Sequence, residues 1–366
     1  MNGLLKNGVL LAVASLLLAL AVPAAGGKPI PTRSTPTHGQ ITGLAFDGPH
    51  VVYGVKPVSV QVGSVHVWNV VSGAVSLVHP RGGGAAFAVA GNRVAWVARW
   101  ADPSETDEYL LTTPVPRLRL RQLAVAVRGA TDETQTETGR WLSGLVGSGS
   151  VIAVSSWSTT DSDAVSNARL SVVGKTRLRP IVSGPGAIVA ESADAGRIAV
   201  VRSTAIWPSV SRLSGGAGSV AIYSTSGALL LELKLGTAKE AALSGNRMAV
   251  LTTASRIEVY NAKTGALVRS WPVPAGAAHL DLQAGIAIYS VYPHFAGPRA
   301  LHALQLSSGK DVVLASGEAP SPYMQGDDAQ IDPLGLVYAV NVKSHGRLVF
   351  MPMARVLAAV SKGHAR

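Results

Sequence analysis

"AGNRVAWVARW", residues 90–100, returns about 150 residues later as "SGNRMAVLTTA", residues 244–254. In both, an apolar segment stops at Gly-Asn and a second apolar segment starts at once. A two-residue Gly-Asn break between apolar runs is the signature of a tight β-hairpin. The same plan recurs along the chain: "LAFDGPHVVYGV" (44–55), "FAVAGNRVAWVA" (87–98), "GLVGSGSVIAVS" (144–155), "IVAESADAGRIAVV" (188–201), "AALSGNRMAVLT" (241–252), "LDLQAGIAIYSV" (280–291) and "QIDPLGLVYAV" (330–340). The second strands begin near Val51, Val94, Val151, Ile198, Met248, Ile286 and Leu336, at a mean spacing of about 47 residues. That period excludes helical repeats and suits four strands per unit.

A second pattern follows several of these hairpins: an apolar strand that ends in Ser or Thr then Gly, as in "VHVWNVVSGAVSLV", "VAIYSTSGALLLEL", "IEVYNAKTGALVRSW" and "LHALQLSSGKDVVL". Gly73, Gly227, Gly265 and Gly309 stand where such a turn needs positive φ. These segments supply a third and a fourth strand. The expected fold is therefore all-β, a single β-propeller of about seven four-stranded blades over residues 41–353, with six blades the alternative. Two closures of the last blade are open, by "RVLAAVS" (355–361) within a basic tail at 354–366, or by the Pro-rich stretch at 26–40, otherwise read as a linker.

With these repeats the chain resembles the β-propeller superfamily, and within it the exported TolB-like and WD-like repeat proteins. Phe46-Asp47-Gly48 and Ile331-Asp332-Pro333-Leu334-Gly335 echo the Asp-Gly turn of TolB-like first hairpins, whereas the Gly-His and Trp-Asp dipeptides of WD repeats are absent. The resemblance implies a rigid disc whose loops or central channel carry the function.

Residues 1–25 combine a basic start at Lys6, an apolar run from Val9 to Val22 and small residues after Pro23. This is the order of a secretory signal peptide cleaved near Ala24–Gly26, the alternative being an uncleaved N-terminal anchor. With no cysteine there is neither a lipoprotein site nor a disulfide framework, so a sizeable core must hold the fold. The 39 glycines, 47% apolar and 14% charged residues fit many short buried strands. A net charge of +11 speaks to association and not to fold. The expectation is an extracytoplasmic monomer that meets the membrane only through an uncleaved leader and binds no nucleic acid.

In a four-stranded meander the second-to-third connections share one end with the links between blades. These connections are the ones that vary in length, running from Trp100 to Arg117, Trp157 to Ala168, Ser203 to Ser219 and Val291 to Ala300. Long irregular loops on a rigid scaffold are the usual seat of binding. Trp100, Tyr109, Trp157, Trp207, Tyr292, His294 and Phe295 fall in or beside them and are the candidate binding residues, against a bland reading in which each folds its loop back onto the disc. After "RLRLRQLAVAV" (117–127) no clear fourth strand is legible in the second unit; Arg117, Arg119 and Arg121 there form a basic stripe suited to a polyanion, or a solvated strand edge.

No Gly-x-Ser-x-Gly elbow, His-Glu-x-x-His motif or Walker loop occurs, and the nine histidines never stand at ligand spacing. No catalytic residue, metal or cofactor is assigned. The leading function is a non-catalytic exported propeller that binds an envelope protein, a glycan or a small ligand through the long-loop face. The alternatives are a channel enzyme, a lactonase-like hydrolase or glycan lyase examined first at Asp327, Asp328, His279 and His294, and a polyanion-binding surface protein.

Overall fold

All seven hairpins read from the sequence form as antiparallel pairs. A computed structural model describes residues 30–57, 63–79, 84–99, 108–114, 123–129, 141–159, 165–174, 178–203, 218–292, 298–318 and 328–362. Residues 31–366 make one compact unit.

Four-stranded antiparallel sheets dominate. The first holds β2 (Gln40–Asp47), β3 (His50–Lys56), β4 (Ser64–Asn69) and β5 (Val75–His79), after β1 (Arg33–Thr37), which belongs to the last sheet. Next come β6 (Gly84–Ala90), β7 (Arg93–Arg99), β8 (Glu108–Pro114) and β9 (Leu123–Gly129), then β10 (Trp141–Ser148), β11 (Val151–Thr159), β12 (Val165–Val173) and β13 (Leu178–Gly184). A seven-stranded sheet follows: β14 (Ala187–Asp194), β15 (Arg197–Ser203), β16 (Gly218–Ser224), β17 (Leu229–Ser244), β18 (Arg247–Thr252), β19 (Arg256–Asn261) and β20 (Leu267–Pro272). The 16-residue β17 serves both halves of it, pairing with β16 through residues 229–238 and with β18 through residues 238–244. The set ends with β21 (Ala277–Gln283), β22 (Ile286–Val291), β23 (Pro298–Gln305) and β24 (Asp311–Glu318), and with β25 (Ala329–Ile331), β26 (Gly335–Val342) and β27 (His345–Pro352), to whose free edge β1 returns. The architecture is nearly all-β and consistent with a propeller.

The apolar runs are continuous because the middle strands are covered on both faces. All six residues of β22 are buried. Successive side chains of a strand point to opposite faces, so in β18 Met248 and Val250 pack with β14 and β15, while Ala249 and Leu251 pack with β21 and β22. The core is thus a series of slabs between neighbouring sheets, with one more between the two halves of the seven-stranded sheet. Outer strands add little to the slabs, Val78 of β5 being an exception, and no residue of β20 is buried. The recurring Gly-Asn turn has its own geometry: φ is +56° at Gly245 and at Gly91, with the following Asn at negative φ. That sign pattern is a type II′ turn, which needs Gly first.

Three expectations are corrected, and of the two closures left open the Pro-rich stretch supplies the strand: residues 33–37 form β1 in register with β27, Arg33 opposite Phe350 and Thr37 opposite Gly346. Pro36 is tolerated because β1 is an edge strand, where a missing N–H breaks no ladder. The tail begins as a helix, α1 (Met353–Lys362), and not as a closing strand. Its buried Val356 and Val360 are spaced i,i+4, and Lys310 Nζ donates 3.0 Å to the Ser361 carbonyl at its C-terminus, where a cation is favoured. The second sheet has a fourth strand: β8 lies inside the stretch read as a loop, and "LAVAVRG" is β9, the fourth strand and not the third. Trp157, read as a loop aromatic, sits on β11 and is 3% exposed, packed with Ala168, Leu170 and Ile188.

Two comparisons test this packing by equilibrium unfolding in denaturant. A Cβ at Gly245 meets nothing within 4 Å, whereas at Gly227 (φ +94°) it falls on the backbone carbonyl of Ile181. Gly245→Ala should cost about 1 kcal/mol of positive-φ strain, and Gly227→Ala at least about twice that. Trp157→Ala should cost about 3 to 5 kcal/mol as a core cavity; a loss under 1 kcal/mol would return the side chain to the surface.

Candidate functional site

The strand order divides the molecule into two ends. At one, each first strand turns into its second within two or three residues: 48–49, 91–92, 149–150, 195–196, 245–246, 284–285 and 332–334. At the other, second strands pass to third strands across 100–107, 160–164, 204–217 and 292–297, against only 343–344 between β26 and β27.

At the long-connection end, two residues flanking the β22–β23 connection are tied to one carboxylate. Tyr292, next after β22, and Arg299, on β23, both donate to Asp328, which stands just before β25. Ser290 Oγ adds a bond at 3.0 Å, and Arg299 also donates to the Ala339 carbonyl on β26. Asp328 is wholly buried and Arg299 is 4% exposed. Burial alone would raise the Asp328 pKa, but the adjoining Arg299 charge, with help from His279 and the Tyr292 hydroxyl, holds it well below the usual carboxylate range. His279, at φ +60°, sets its ring 5.5 Å from that of Tyr292. The carboxylate first in line for channel chemistry is therefore a saturated structural ion pair. Removing one partner of such a pair strands a buried charge.

Of the other candidates, Tyr109 lies on β8, in register with Arg128. Trp100, Trp207, His294, Phe295, Asp327 and the stripe Arg117, Arg119 and Arg121 lie outside the described residues. Among the described residues no group of three His, Cys, Asp or Glu side chains is placed to hold a metal ion.

At the short-turn end, the tips of β2, β10, β14, β17, β21 and β25 meet around an open-mouthed cavity of about 710 Å³, counting the solvent in its mouth. Five carboxylates line it, Asp47, Glu191, Asp194, Asp281 and Asp332, and no Lys, Arg or His does. Most of these acids hold backbone N–H groups. Asp47 accepts from Gly91 and Gly149 at 2.7 and 3.2 Å, Asp194 from Gly245 at 2.9 Å, and Asp281 from Leu282 and Ile331 at 2.8 and 2.9 Å. Asp194 is also paired with Arg197 at 2.7 Å. Asp332 Oδ1 accepts from Leu334 and Gly335 at 2.6 and 3.1 Å, and the backbone N–H of Gly48 also acts on the buried carboxylate. Burial pushes the Asp332 carboxyl up to about 7, against the backbone N–H groups of Leu334, Gly335 and Gly48 and with help from the Asp47 charge.

Sequence reasoning placed Asp332 only as a turn residue and missed the set. A signal was present, an acid immediately before a hairpin turn in "LAFDG", "ESADAG" and "QIDPLG".

The raised Asp332 carboxyl sets a pH dependence. An unfolded Asp releases its proton near pH 4, and the folded chain keeps it to about pH 7. Stability from this group is thus full below pH 4 and falls as pH rises to about 7, by at most about 4 kcal/mol. Asp332→Asn keeps the Oδ1 acceptor and should remove that fall, so that denaturant unfolding at pH 5 and pH 8 differs less than in the wild type.

No family model matches this sequence, and no curated protein does. A solved prolyl endopeptidase is 16% identical with a TM-score of 0.50, over 87% of this chain. The chain spans 47% of that enzyme's length. A computationally designed protein, Ika8, matches at 12% identity and a TM-score of 0.48, over 86% of this chain and 97% of its own. At these identities the likeness to the endopeptidase concerns the fold alone, and is compatible with a β-propeller.

Proposed function

We propose that this chain is an exported, non-catalytic seven-bladed propeller that binds a component of the cell envelope, a protein, glycan or small ligand, through the end bearing its long connections. Seven blades follow if β17 is counted twice, once as the fourth strand after β16 and once as the first strand before β18, with β1 completing the last. Side-chain hydrogen bonds support the circular arrangement, since they run from each sheet toward the next and from the last to the first, where Asn341 pairs with both backbone groups of Ile41 and Gln330 accepts from Phe46.

The observation that carries the functional reading is the shared anchor at Asp328. It fixes Tyr292 and Arg299, on either side of residues 293–297, so the connection between β22 and β23 starts and ends on a rigid base, the arrangement that suits recognition. The same anchor weighs against the channel-enzyme reading, because all the donors around Asp328 are spent on a buried ion pair. TolB-like membership and export are proposed with this reading, on the Asp-Gly turns and on the leader-like residues 1–25.

Export is tested by N-terminal sequencing of the protein from the culture medium or periplasm, which should start close to Gly26. Recovery of intact Met1 in membranes would replace export with anchoring. Recognition is tested with a photo-crosslinking amino acid at Trp207 or Phe295, and separately at Asn92 or Asn246 on the short-turn end. Specific adducts should form from the first pair. Adducts confined to the second pair would move the functional face.

A further inference from the structure

We propose that the short-turn end docks on the surface of an anionic phospholipid bilayer, led by the outer edge of the seven-stranded sheet. This goes beyond the recognition assigned to the opposite end and does not depend on it.

The turns from third to fourth strands lie at this end and share a sequence: "SGAV" (72–75), "SGALL" (226–230) and "TGALV" (264–268). Each sets apolar side chains directly after a glycine turn, at the start of a fourth strand. β5 and β20 are the last strands of their sheets, and residues 229–237 of β17 pair with β16 alone. Of the ten large apolar side chains exposed among the described residues, all but Val342 lie at this end, in these turns, within three residues after them or on α1, and they are 42 to 57% exposed. Apolar residues scattered singly over a surface need no explanation, but a set gathered at one end does. Leu229, Leu230, Leu267 and Val268 are the first two residues of their strands, within about 7 Å of the turns at about 3.4 Å per residue. Apolar side chains of interfacial proteins enter a bilayer to a depth of about 5 to 10 Å.

Charge points to the same partner. Lys263 and Arg269 flank Leu267 and Val268 in the chain, Arg247 opens β18 at this end, and Arg355 and Lys362 lie on α1. All five are exposed and none is in an ion pair. Acids along this edge are engaged: Asp311 accepts from Tyr289 at 2.8 Å and stands 3.1 Å from His302, and Glu232 is 3.9 Å from Arg202. The carboxylates of the cavity belong to the first-strand side of the sheets. Three strand spacings separate first from fourth strands, about 14 Å, which exceeds the screening length of about 8 to 10 Å. Negative lipid therefore meets the outer cations without the inner acids cancelling them, and attracts each Lys or Arg near its surface.

A second copy of this chain would bring the same cations to the same apolar side chains and is repelled. One peptide segment would cover the apolar residues of a single sheet, whereas a bilayer meets those of several sheets together. The chain also enters its folded part on this side: β1 starts at Arg33, opposite Phe350, and β27 ends at Pro352 beside Gly335, where the short turn 332–334 ends. Residues read as a leader are thus joined to the protein at the docking end.

The test is sedimentation with vesicles of phosphatidylcholine alone, and of an equal mixture with phosphatidylglycerol, at neutral pH and low ionic strength. It uses the mature chain beginning at Gly26, so that no leader contributes. The mixed vesicles should carry the protein down, phosphatidylcholine alone should bind at least about tenfold less, and added salt should release it. Lys263→Glu with Arg269→Glu should weaken partition onto the mixed vesicles at least about tenfold, and Leu267→Ser with Val268→Ser should weaken it as well. Val342→Ser and Lys56→Glu, both at the long-connection end, should leave it unchanged, and thermal melts verify that each variant is folded. Equal binding to both kinds of vesicle, binding to neither, partition unchanged in either double variant, or loss in Val342→Ser or Lys56→Glu would overturn the proposal.

Discussion

The first strand of each sheet, β2, β6, β10, β14, β21 or β25, has one edge with no strand to pair with. Their backbone N–H groups cannot be left dry, and a neighbouring sheet cannot pair with them without abandoning its own register. The molecule solves this with side chains. Ser155 accepts from Ala190, Ser192 from Leu243, Glu240 from Leu280, Asp281 from Ile331, Gln330 from Phe46 and Asn341 from Ile41. Ser192 and Leu243 lie in the two halves of the seven-stranded sheet; in every other case the acceptor belongs to one sheet and the N–H to the first strand of the next. Apolar slabs hold neighbouring sheets face to face, and these polar stitches fix their relative height.

This constraint explains why the middle of an otherwise apolar, basic protein is rich in oxygen acceptors. Serines, acids and amides do the stitching, and where the first strands end, acids line a cavity. The two ends then differ in kind. At one end every first strand turns into its second within two or three residues. The other end carries connections of varied length, the one between β22 and β23 rooted by the Asp328–Arg299 pair.

Much of this was legible from pattern alone. All seven hairpins lie where the Gly-containing breaks put them, and Gly73, Gly227, Gly265 and Gly309 have the positive φ assigned to them. What misled was every element whose stability comes from something other than its own periodicity. β1 has the sequence RSTPT and is held by backbone bonds to β27. In α1, "RVLAAVS" passes for a strand until the i,i+4 burial of Val356 and Val360 is seen. Trp157 reads as a loop aromatic because the polar "STTDSD" follows it, yet β11 runs on to Thr159 and carries the ring into the core. The acidic cavity was hidden for a related reason. Its members stand one per strand, and no spacing rule gathers Asp47 and Asp332.

The pairing of β1 with β27 sets a rule of assembly. Arg33 meets Phe350 and Thr37 meets Gly346, so the last sheet lacks a strand until the far ends of the chain have found each other. Loop-closure entropy rises only slowly with the length of chain between two partners, but contacts this remote in sequence slow folding, because their ordering cost falls due before any bond repays it. A chain still emerging from ribosome or translocon carries β1 unpaired through the making of every other sheet. β27, once made, exposes a bare edge for as long as β1 stays away. The joint that completes the last sheet is thus also where another copy of the chain could most easily intrude, and its speed of capture decides between a finished fold and an aggregate.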